Sequence, residues 1–198
     1  MSKIKLSNEL KKAITLMPVK EKDKLLLRLV AKDANLVQRL EFELLEESPT
    51  VEERRADLRD EIHQSLLESQ RYFYSPGYLL LDLRNLSGKI NQHVKTTKDK
   101  YGEIELNFFM LNKALELMGE RIRPFSSIKA RTLNEYIVRR ILKLLKLIDK
   151  LHEDYRLDFH PVMVELAGHM GEQPTLMKTA IYQMLDVNWL LRGEWPEL

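Results

Sequence analysis

The chain has 198 residues and no cysteine, and its formal net charge is only +2. A chain of this length buries enough surface to fold without cross-links, and the lack of thiols excludes disulfides, thiol catalysis and cysteine-ligated metal centres. A small net charge means that any attraction for a polyanion must come from a local surface. Because no long apolar run or signal-peptide pattern occurs, we expect a cytoplasmic protein that does not enter a membrane.

Helical periodicity extends over nearly the whole sequence, because apolar residues recur at three-to-four spacing and alternating β-branched runs are absent. The pattern predicts an all-α protein, an irregular multi-helix bundle or α-hairpin array of about eight to nine helices with no significant β-sheet. The predicted helices span residues 7–17, 18–32 and 33–45, a stretch from about 50 to the aromatic segment RYFYSPGY, then from about 78 to the lysine-rich segment KTTKDKYG, 103–118 and about 126–155, and last a hairpin over 160–191.

Capping signals indicate where two of these helices begin. Asp33 is expected to cap the third helix, because an aspartate before an apolar-periodic stretch accepts hydrogen bonds from the first turn. Two caps compete at the start of the fourth helix. One is Ser48, and the other is Thr50, which stands three residues before Glu53 and so fits a capping box.

The predicted organisation has two parts that together form one compact unit. Residues 1–74 are expected to form N-terminal helical hairpins, and residues 75–198 a C-terminal helical part with the long helix and the terminal hairpin. Charge is distributed unevenly along the chain. Counted from the sequence, the net charge is +6 over 1–32, −6 over 41–61, +7 over 121–150 and −5 over 151–198.

Residues 164–185, VELAGHMGEQPTLMKTAIYQML, resemble the helix-turn-helix pattern of DNA-binding proteins. Gly171 occupies the turn position and Pro174 begins the second helix, which the resemblance places in the major groove. The positions predicted to face inward are Met177, Ala180, Ile181, Met184 and Leu185, and the polar positions left for base contacts are Gln173, Thr175, Lys178, Thr179 and Gln183. The surrounding segment is acidic, which opposes phosphate binding, so we favour packing or partner contact for this hairpin.

A stronger electrostatic feature lies on the predicted long helix. At ~100° per residue, four cations fall on one side of this helix, opposite an apolar face. The cations are Arg139, Lys143, Lys146 and Lys150, and the apolar face consists of Ile137, Ile141, Leu145 and Ile148. Such a stripe suits a phosphate backbone or an acidic protein surface, and it is also typical of a solvated helix face, so these three interpretations stay open.

The acidic segment EFELLEESPTVEERRADLRDE raises an enzymatic hypothesis. Glu43 and Glu46 resemble the E-x-x-E pair of all-α nucleotide pyrophosphohydrolases. Asp57 and Asp60 imitate the E-x-x-D pair of the next helix in that family, and the resemblance implies a magnesium-dependent nucleotide hydrolase. Helical geometry argues against it, because Asp57 and Asp60 lie far around the helix from the core position Ile62 and are expected to face solvent.

Histidines offer a second kind of site. Glu165 and His169 are four residues apart on one helix and His160 precedes them, so a three-ligand metal site can be drawn. An ordinary i,i+4 hydrogen-bonded pair explains the same residues, and we expect no metal there. Because nucleotide-binding loops and hydrolase motifs are absent, we also expect no cofactor and no catalytic residues, although a site assembled from distant residues leaves no such signature.

Aromatic residues cluster around the predicted break SPG. Tyr74 and Tyr78 flank this break and are candidate anchors for a partner, although such clusters more often pack into a helix corner. Trp195, next to Pro196, is a third candidate anchor, because an exposed tryptophan marks an interface.

These features favour a non-enzymatic protein-interaction or scaffold module with a protein partner. Two other functions stay open. One is nucleic-acid binding through the basic helix over 137–150, with the terminal hairpin as a second contact, and the other is magnesium-dependent nucleotide hydrolysis by an all-α enzyme. Self-association also stays open.

Overall fold

The computed structural model describes residues 5–45 and 50–192, the side chains of residues 153 and 154 excepted. Every regular element in this part of the chain is helical, which confirms the all-α prediction. The helices are α1 (Asn8–Leu16), α2 (Val19–Val30), α3 (Ala34–Leu44), α4 (Val51–Arg71), α5 (Pro76–Thr97), α6 (Lys100–Ile122), α7 (Ser127–Ile148), α8 (Glu153–Arg156), α9 (His160–Gly171), α10 (Pro174–Tyr182) and α11 (Val187–Arg192). A 3-10 turn, Leu157–Phe159, joins α8 to α9.

Contacts along the chain define an N-terminal unit, Met1–Glu47, and a C-terminal unit, Ser48–Leu198. The predicted organisation placed α4 with the N-terminal hairpins, in residues 1–74. In the structure α4 packs against α5 and α6 and belongs to the C-terminal unit. Periodicity identifies the buried face of a helix and not the helix that covers it, which is why the sequence pattern did not reveal this pairing.

The N-terminal unit, formed by α1, α2 and α3, has little interior of its own. Ser7 caps α1 by accepting a hydrogen bond from the backbone N–H of Leu10 at 3.2 Å, and Asp33 caps α3 as predicted. No residue of these three helices is buried. Large apolar side chains that remain exposed include Leu16, Val19, Leu26, Leu27, Leu29 and Leu44. The local structure of this unit therefore rests on capping and helix propensity more than on a packed core.

In the C-terminal unit α6 is the central helix. It packs against α4, α5, α7 and α9. Apolar residues cover most of its surface, as expected for a helix that several others contact. Its buried residues include Ile104, Leu106, Phe108, Met110, Leu111, Leu115 and Met118. Farther from this centre α7 packs against α5 and α10, and α9 packs against α11.

Two predictions about α4 are confirmed. Ile62 and Leu66, which set its predicted core face, are fully buried. The capping box at its start is also present: the Thr50 hydroxyl accepts from the backbone N–H of Glu53 at 3.2 Å, and the Glu53 carboxylate accepts from the backbone N–H of Thr50 at 2.6 Å. The competing cap, Ser48, lies outside the described residues.

Helix α7 is shorter than predicted. Its predicted apolar face is buried, at Ile137, Ile141, Leu145 and Ile148. The helix ends at Ile148, so the prediction of one helix over 126–155 is wrong. The backbone N–H of Lys150 bonds to the carbonyl three residues back, at 3.1 Å, which tightens the last turn. The Arg156 guanidinium then donates to the carbonyl oxygen of Asp149 at 2.9 Å, an acceptor that a continuing helix would have used itself.

The predicted terminal hairpin is present as α9 and α10, but part of its predicted inward face is wrong. Ala180 and Leu185 are buried, and Met177 is half-buried. Ile181 and Met184 are instead 72% and 90% exposed. The side of α10 that carries Ala180 packs against α7, and Met184 has a left-handed φ of 60°, which breaks the helical period on which the prediction relied.

The turn between α5 and α6 is held by one carboxylate. Lys98 ends α5 with a left-handed φ of 63°, and Asp99 caps α6 by accepting from the backbone N–H of Gly102 at 2.8 Å. Arg55 on α4 donates two hydrogen bonds to the Asp99 carboxylate, at 2.8 and 3.1 Å. His93 Nε2 on α5 lies 3.2 Å from the same group. Three helices therefore meet at a side chain that is only 5% exposed.

These contacts set the ionisation of Asp99. Burial by itself raises its pKa, but hydrogen bonds from His93, the Gly102 N–H and Arg55, together with the Arg55 charge, lower the pKa from 3.8 to about 2. The folded state therefore favours the charged carboxylate. Glycine is required at position 102 for this approach, because a Cβ there would overlap the carboxylate of Asp99.

We expect Asp99→Asn to lower the free energy of unfolding by about 2 kcal/mol at neutral pH, because it removes the charge that pairs with Arg55 and keeps an acceptor for capping. The pKa of Asp99 is lower in the folded state than its ordinary value of 3.8. The Asp99 carboxylate therefore contributes fully to the free energy of unfolding above about pH 3.8, and this contribution is lost as the pH falls through about 2. The difference in the free energy of unfolding between the wild type and the variant, measured by urea unfolding, should decrease from about pH 5 to about pH 2.

Glu116→Gln is the matched control on the same helix. It removes an exposed ion pair with Lys113 and should change stability by less than about 0.5 kcal/mol. A destabilisation by Asp99→Asn that is equally large at about pH 5 and at about pH 2 would contradict the assignment.

Candidate functional site

The aromatic corner between α4 and α5 is only partly packed. Phe73 lies edge-on to Phe125, with ring centroids 6.2 Å apart. Tyr72, Tyr74 and Tyr78 remain 83%, 75% and 60% exposed. The rings of Tyr74 and Tyr78 contact each other edge to face, with centroids 5.4 Å apart. The two anchor residues predicted at this corner are therefore adjacent and accessible.

A cavity of about 700 Å³ opens beside these tyrosines, between α4 and α5. We call it the tyrosine groove. Its lining includes the aromatic and aliphatic side chains Tyr72, Phe73, Tyr78, Leu79 and Leu86 and the polar side chains Ser65, Glu68, Ser69, Asp82, Asn85 and Lys89. It thus joins an apolar wall to a polar one.

The polar wall of the tyrosine groove is acidic. The Ser69 hydroxyl donates to the Asp82 carboxylate at 2.8 Å, and within the described residues neither Asp82 nor Glu68 has a cationic partner. Lys89 lies at the far end, where its ammonium group pairs with Glu61 at 2.5 Å. The groove therefore presents two negative charges that its own lysine does not neutralise.

A second cavity, of about 300 Å³, lies on the other side of α5, against α7. We call it the arginine groove. It is lined by four cations and by three further side chains. The cations are Arg84, Arg139, Arg140 and Lys143, and the others are Thr132, Glu135 and Tyr136.

The hydroxyl of Tyr136 forms the floor of the arginine groove and ties α7 to α5. It contacts the buried Ser87 hydroxyl at 2.5 Å and donates to the carbonyl oxygen of Leu83 at 3.2 Å. The Arg140 guanidinium donates to the same hydroxyl at 3.0 Å and lies 5.2 Å from the centre of the tyrosine ring. Arg140 is therefore held in place before any ligand arrives.

The carboxylates near the arginine groove pair with cations inside the groove and with one outside it. Glu135 accepts from Arg131 at 2.9 Å, and it is 3.5 Å from Arg139. The pKa of Glu135 is lowered, first by the hydrogen bond from Arg131, so this carboxylate stays charged. Glu103 pairs with Lys143 at 2.7 Å. Arg84 has no ion pair within the described part of the chain.

The structure brings together half of the predicted basic stripe. Arg139 and Lys143 line the arginine groove, whereas Lys146 is exposed one turn farther along α7. Lys150 lies beyond the end of α7 and so leaves the stripe. The sequence pattern missed Arg84 and Arg140. Arg140 directly follows Arg139 in the chain, which is a signal that could have found it, while nothing in the sequence relates Arg84 on α5 to a groove on α7.

The polar residues expected at the start of the second hairpin helix contact protein. Gln173 is 2% exposed, and the Thr175 hydroxyl accepts from the Asn134 amide on α7 at 3.1 Å. Helix α10 packs on α7 along this side. These two side chains are therefore not available to base edges in this arrangement, whereas Lys178 is exposed.

The three residues drawn for a metal site, Glu165 and His169 among them, all lie on α9. His169 Nε2 is 3.9 Å from the Glu165 carboxylate, and the described residues contain no group of three histidine, aspartate or glutamate side chains that could hold a metal ion. Asp57 and Asp60 are exposed, as helical geometry predicted. Glu46, like the candidate anchor Trp195, lies outside the described ranges.

Comparisons with known proteins found no matching family model, no matching curated protein and no matching solved structure. Among the described residues no helix is long and apolar enough to cross a membrane. Function must therefore be argued from the two grooves that flank α5.

We expect Tyr136→Phe to lower the free energy of unfolding by about 1 kcal/mol, because it leaves the buried hydroxyl of Ser87 without its partner. Chemical unfolding followed by circular dichroism measures this change. Tyr182→Phe, at a tyrosine that is 87% exposed, is the matched control and should leave stability unchanged. Equal effects of the two substitutions would show that the Tyr136 hydroxyl does not tie α7 to α5.

Proposed function

We propose that this protein is a non-enzymatic protein-interaction module and that the tyrosine groove binds its partner. The partner segment that fits carries lysine or arginine side chains next to apolar ones. The observation that carries the proposal is the exposure of Tyr72, Tyr74 and Tyr78 beside a cavity of about 700 Å³. We place the interaction in the cytoplasm, because a chain without cysteine suits a reducing compartment.

Exposed tyrosines suit a binding role on energetic grounds. A tyrosine side chain buries ~150–250 Å² and loses few rotamers on binding, and tyrosine is enriched among the residues that dominate interface energies. Phe73, Leu79 and Leu86 extend the apolar wall into the cavity. A partner side chain that enters it exchanges water for aromatic and aliphatic contacts.

Charge selects the kind of partner. Glu68 and Asp82 supply two carboxylates to the groove that Tyr72 and Tyr78 also line. A cation placed over an aromatic face next to a carboxylate is stabilised by the cation–π interaction and by the ion pair. An acidic segment would meet repulsion on the same wall. The groove therefore favours a basic, partly apolar segment of a protein over an acidic one.

A peptide-display selection tests the proposal and does not require the partner to be identified first. A library of random peptides is selected on the full-length protein, and enriched peptides are measured against the Tyr74→Ala/Tyr78→Ala variant. We expect the enriched peptides to carry lysine or arginine beside leucine or an aromatic residue. Binding to the variant should be weaker by roughly tenfold or more, because two anchors are lost.

Two further variants sharpen the selection. Tyr182→Ala removes an exposed tyrosine on α10 and should bind the peptides like the wild type. Glu68→Gln should weaken binding and reduce its dependence on salt. The proposal is overturned if no peptide is enriched, if the enriched peptides are acidic, or if they bind the tyrosine variant as tightly as the wild type.

A further inference from the structure

We propose that the arginine groove between α5 and α7 binds the phosphate backbone of a nucleic acid without reading its sequence. This function is separate from the protein interaction assigned to the tyrosine groove, and it uses the opposite side of α5. The observation behind it is the convergence of Arg84, Arg139, Arg140 and Lys143 on one cavity.

The groove is assembled from two helices whose relative position is fixed. Tyr136 on α7 bonds to Ser87 and Leu83 on α5, so Arg84, one residue after Leu83, stays close to the cations of α7. Arg140 is oriented by the Tyr136 hydroxyl and ring. A ligand therefore meets cations that are already in place, which lowers the entropy cost of binding.

Positive charge exceeds negative charge in this groove. Arg131, which does not line it, holds Glu135 at a shorter distance than Arg139 does, 2.9 against 3.5 Å. Arg84 and Arg140 have no carboxylate partner among the described residues. Arg139 has only the longer contact to Glu135, so these three cations have most to gain from an anionic ligand.

The lining favours phosphate over an acidic peptide. Three of the four cations are arginines, and a guanidinium fork matches a phosphate with two parallel hydrogen bonds. Among the residues that the structure describes, no aliphatic side chain lines this groove, in contrast with the tyrosine groove. Protein interfaces need an apolar centre, whereas nucleic-acid interfaces are polar and strongly positive.

The surface around the groove suits an extended polyanion. Lys146 continues the positive surface one turn along α7 beyond Lys143. Asparagine and glutamine pair with adenine edges, and neither lines the groove in the described part of the chain. Arginine can also pair with guanine, but a cluster of several cations matches the repeating charge of the phosphates, so contacts to phosphates and independence of sequence are expected.

Fluorescence anisotropy with short labelled single-stranded RNA and duplex DNA, each in two unrelated sequences, tests the proposal on the full-length protein. We expect binding at low salt, similar affinity for both sequences of each kind, and a steep loss of affinity as salt rises. Arg84→Gln/Arg139→Gln should weaken binding by roughly tenfold or more and should reduce the salt dependence.

The matched control is Arg71→Gln/Lys100→Gln, which removes the same charge from exposed positions outside the groove and should bind like the wild type. The Tyr74→Ala/Tyr78→Ala variant should also retain nucleic-acid binding, so failure of one proposal is distinguishable from failure of the other. Circular dichroism confirms that each variant is folded.

Three outcomes overturn the proposal. The first is no binding even at low salt, and the second is equal loss of affinity in the groove variant and in the matched control. The third outcome comes from a further titration, with a labelled oligoglutamate peptide of similar length in place of the nucleic acid. If this peptide binds as tightly as the nucleic acids and also depends on Arg84 and Arg139, the groove is a site for acidic proteins.

Discussion

The ion pair between Arg55 and Asp99 is the contact on which the C-terminal unit depends. It joins α4 to the turn between α5 and α6, across 44 positions of sequence. The same carboxylate caps the central helix α6, so one side chain sets where α6 begins and how α4 lies against it. Both side chains are largely removed from water, and the pair lies in a wider network, because Arg55 also pairs with Glu105 at 3.2 Å and Asp99 also contacts His93.

The turn at Asp99 fixes one end of α5, and the two sides of this helix line the two grooves. Asp82 and Arg84 are only two residues apart, yet at ~100° per residue they lie roughly 160° apart around the axis. Asp82 therefore contributes to the tyrosine groove against α4, and Arg84 to the arginine groove against α7. The two grooves therefore carry charges of opposite sign on opposite sides of α5, and the chain's net charge of +2 reveals neither of them.

The sequence was a good guide wherever the information is local. Periodicity identified the buried faces that include Ile62 and Ile141, and capping chemistry identified Asp33, because both depend on neighbours within one helix. It failed at Met184, where a left-handed residue ends the period. The sequence also did not predict that Arg84 belongs to the basic site or that Asp99 pairs with Arg55. The partners of both residues lie on other helices, and only tertiary packing brings them together.

A double-mutant cycle of Arg55→Gln and Asp99→Asn tests most directly whether one ion pair holds this arrangement. The free energies of unfolding of the wild type, both single variants and the double variant are measured in urea at neutral pH. We expect each single variant to be destabilised, and the double variant to lose less than the sum, with a coupling of about 2 kcal/mol. Strictly additive losses would mean that the two side chains act separately and would contradict the account.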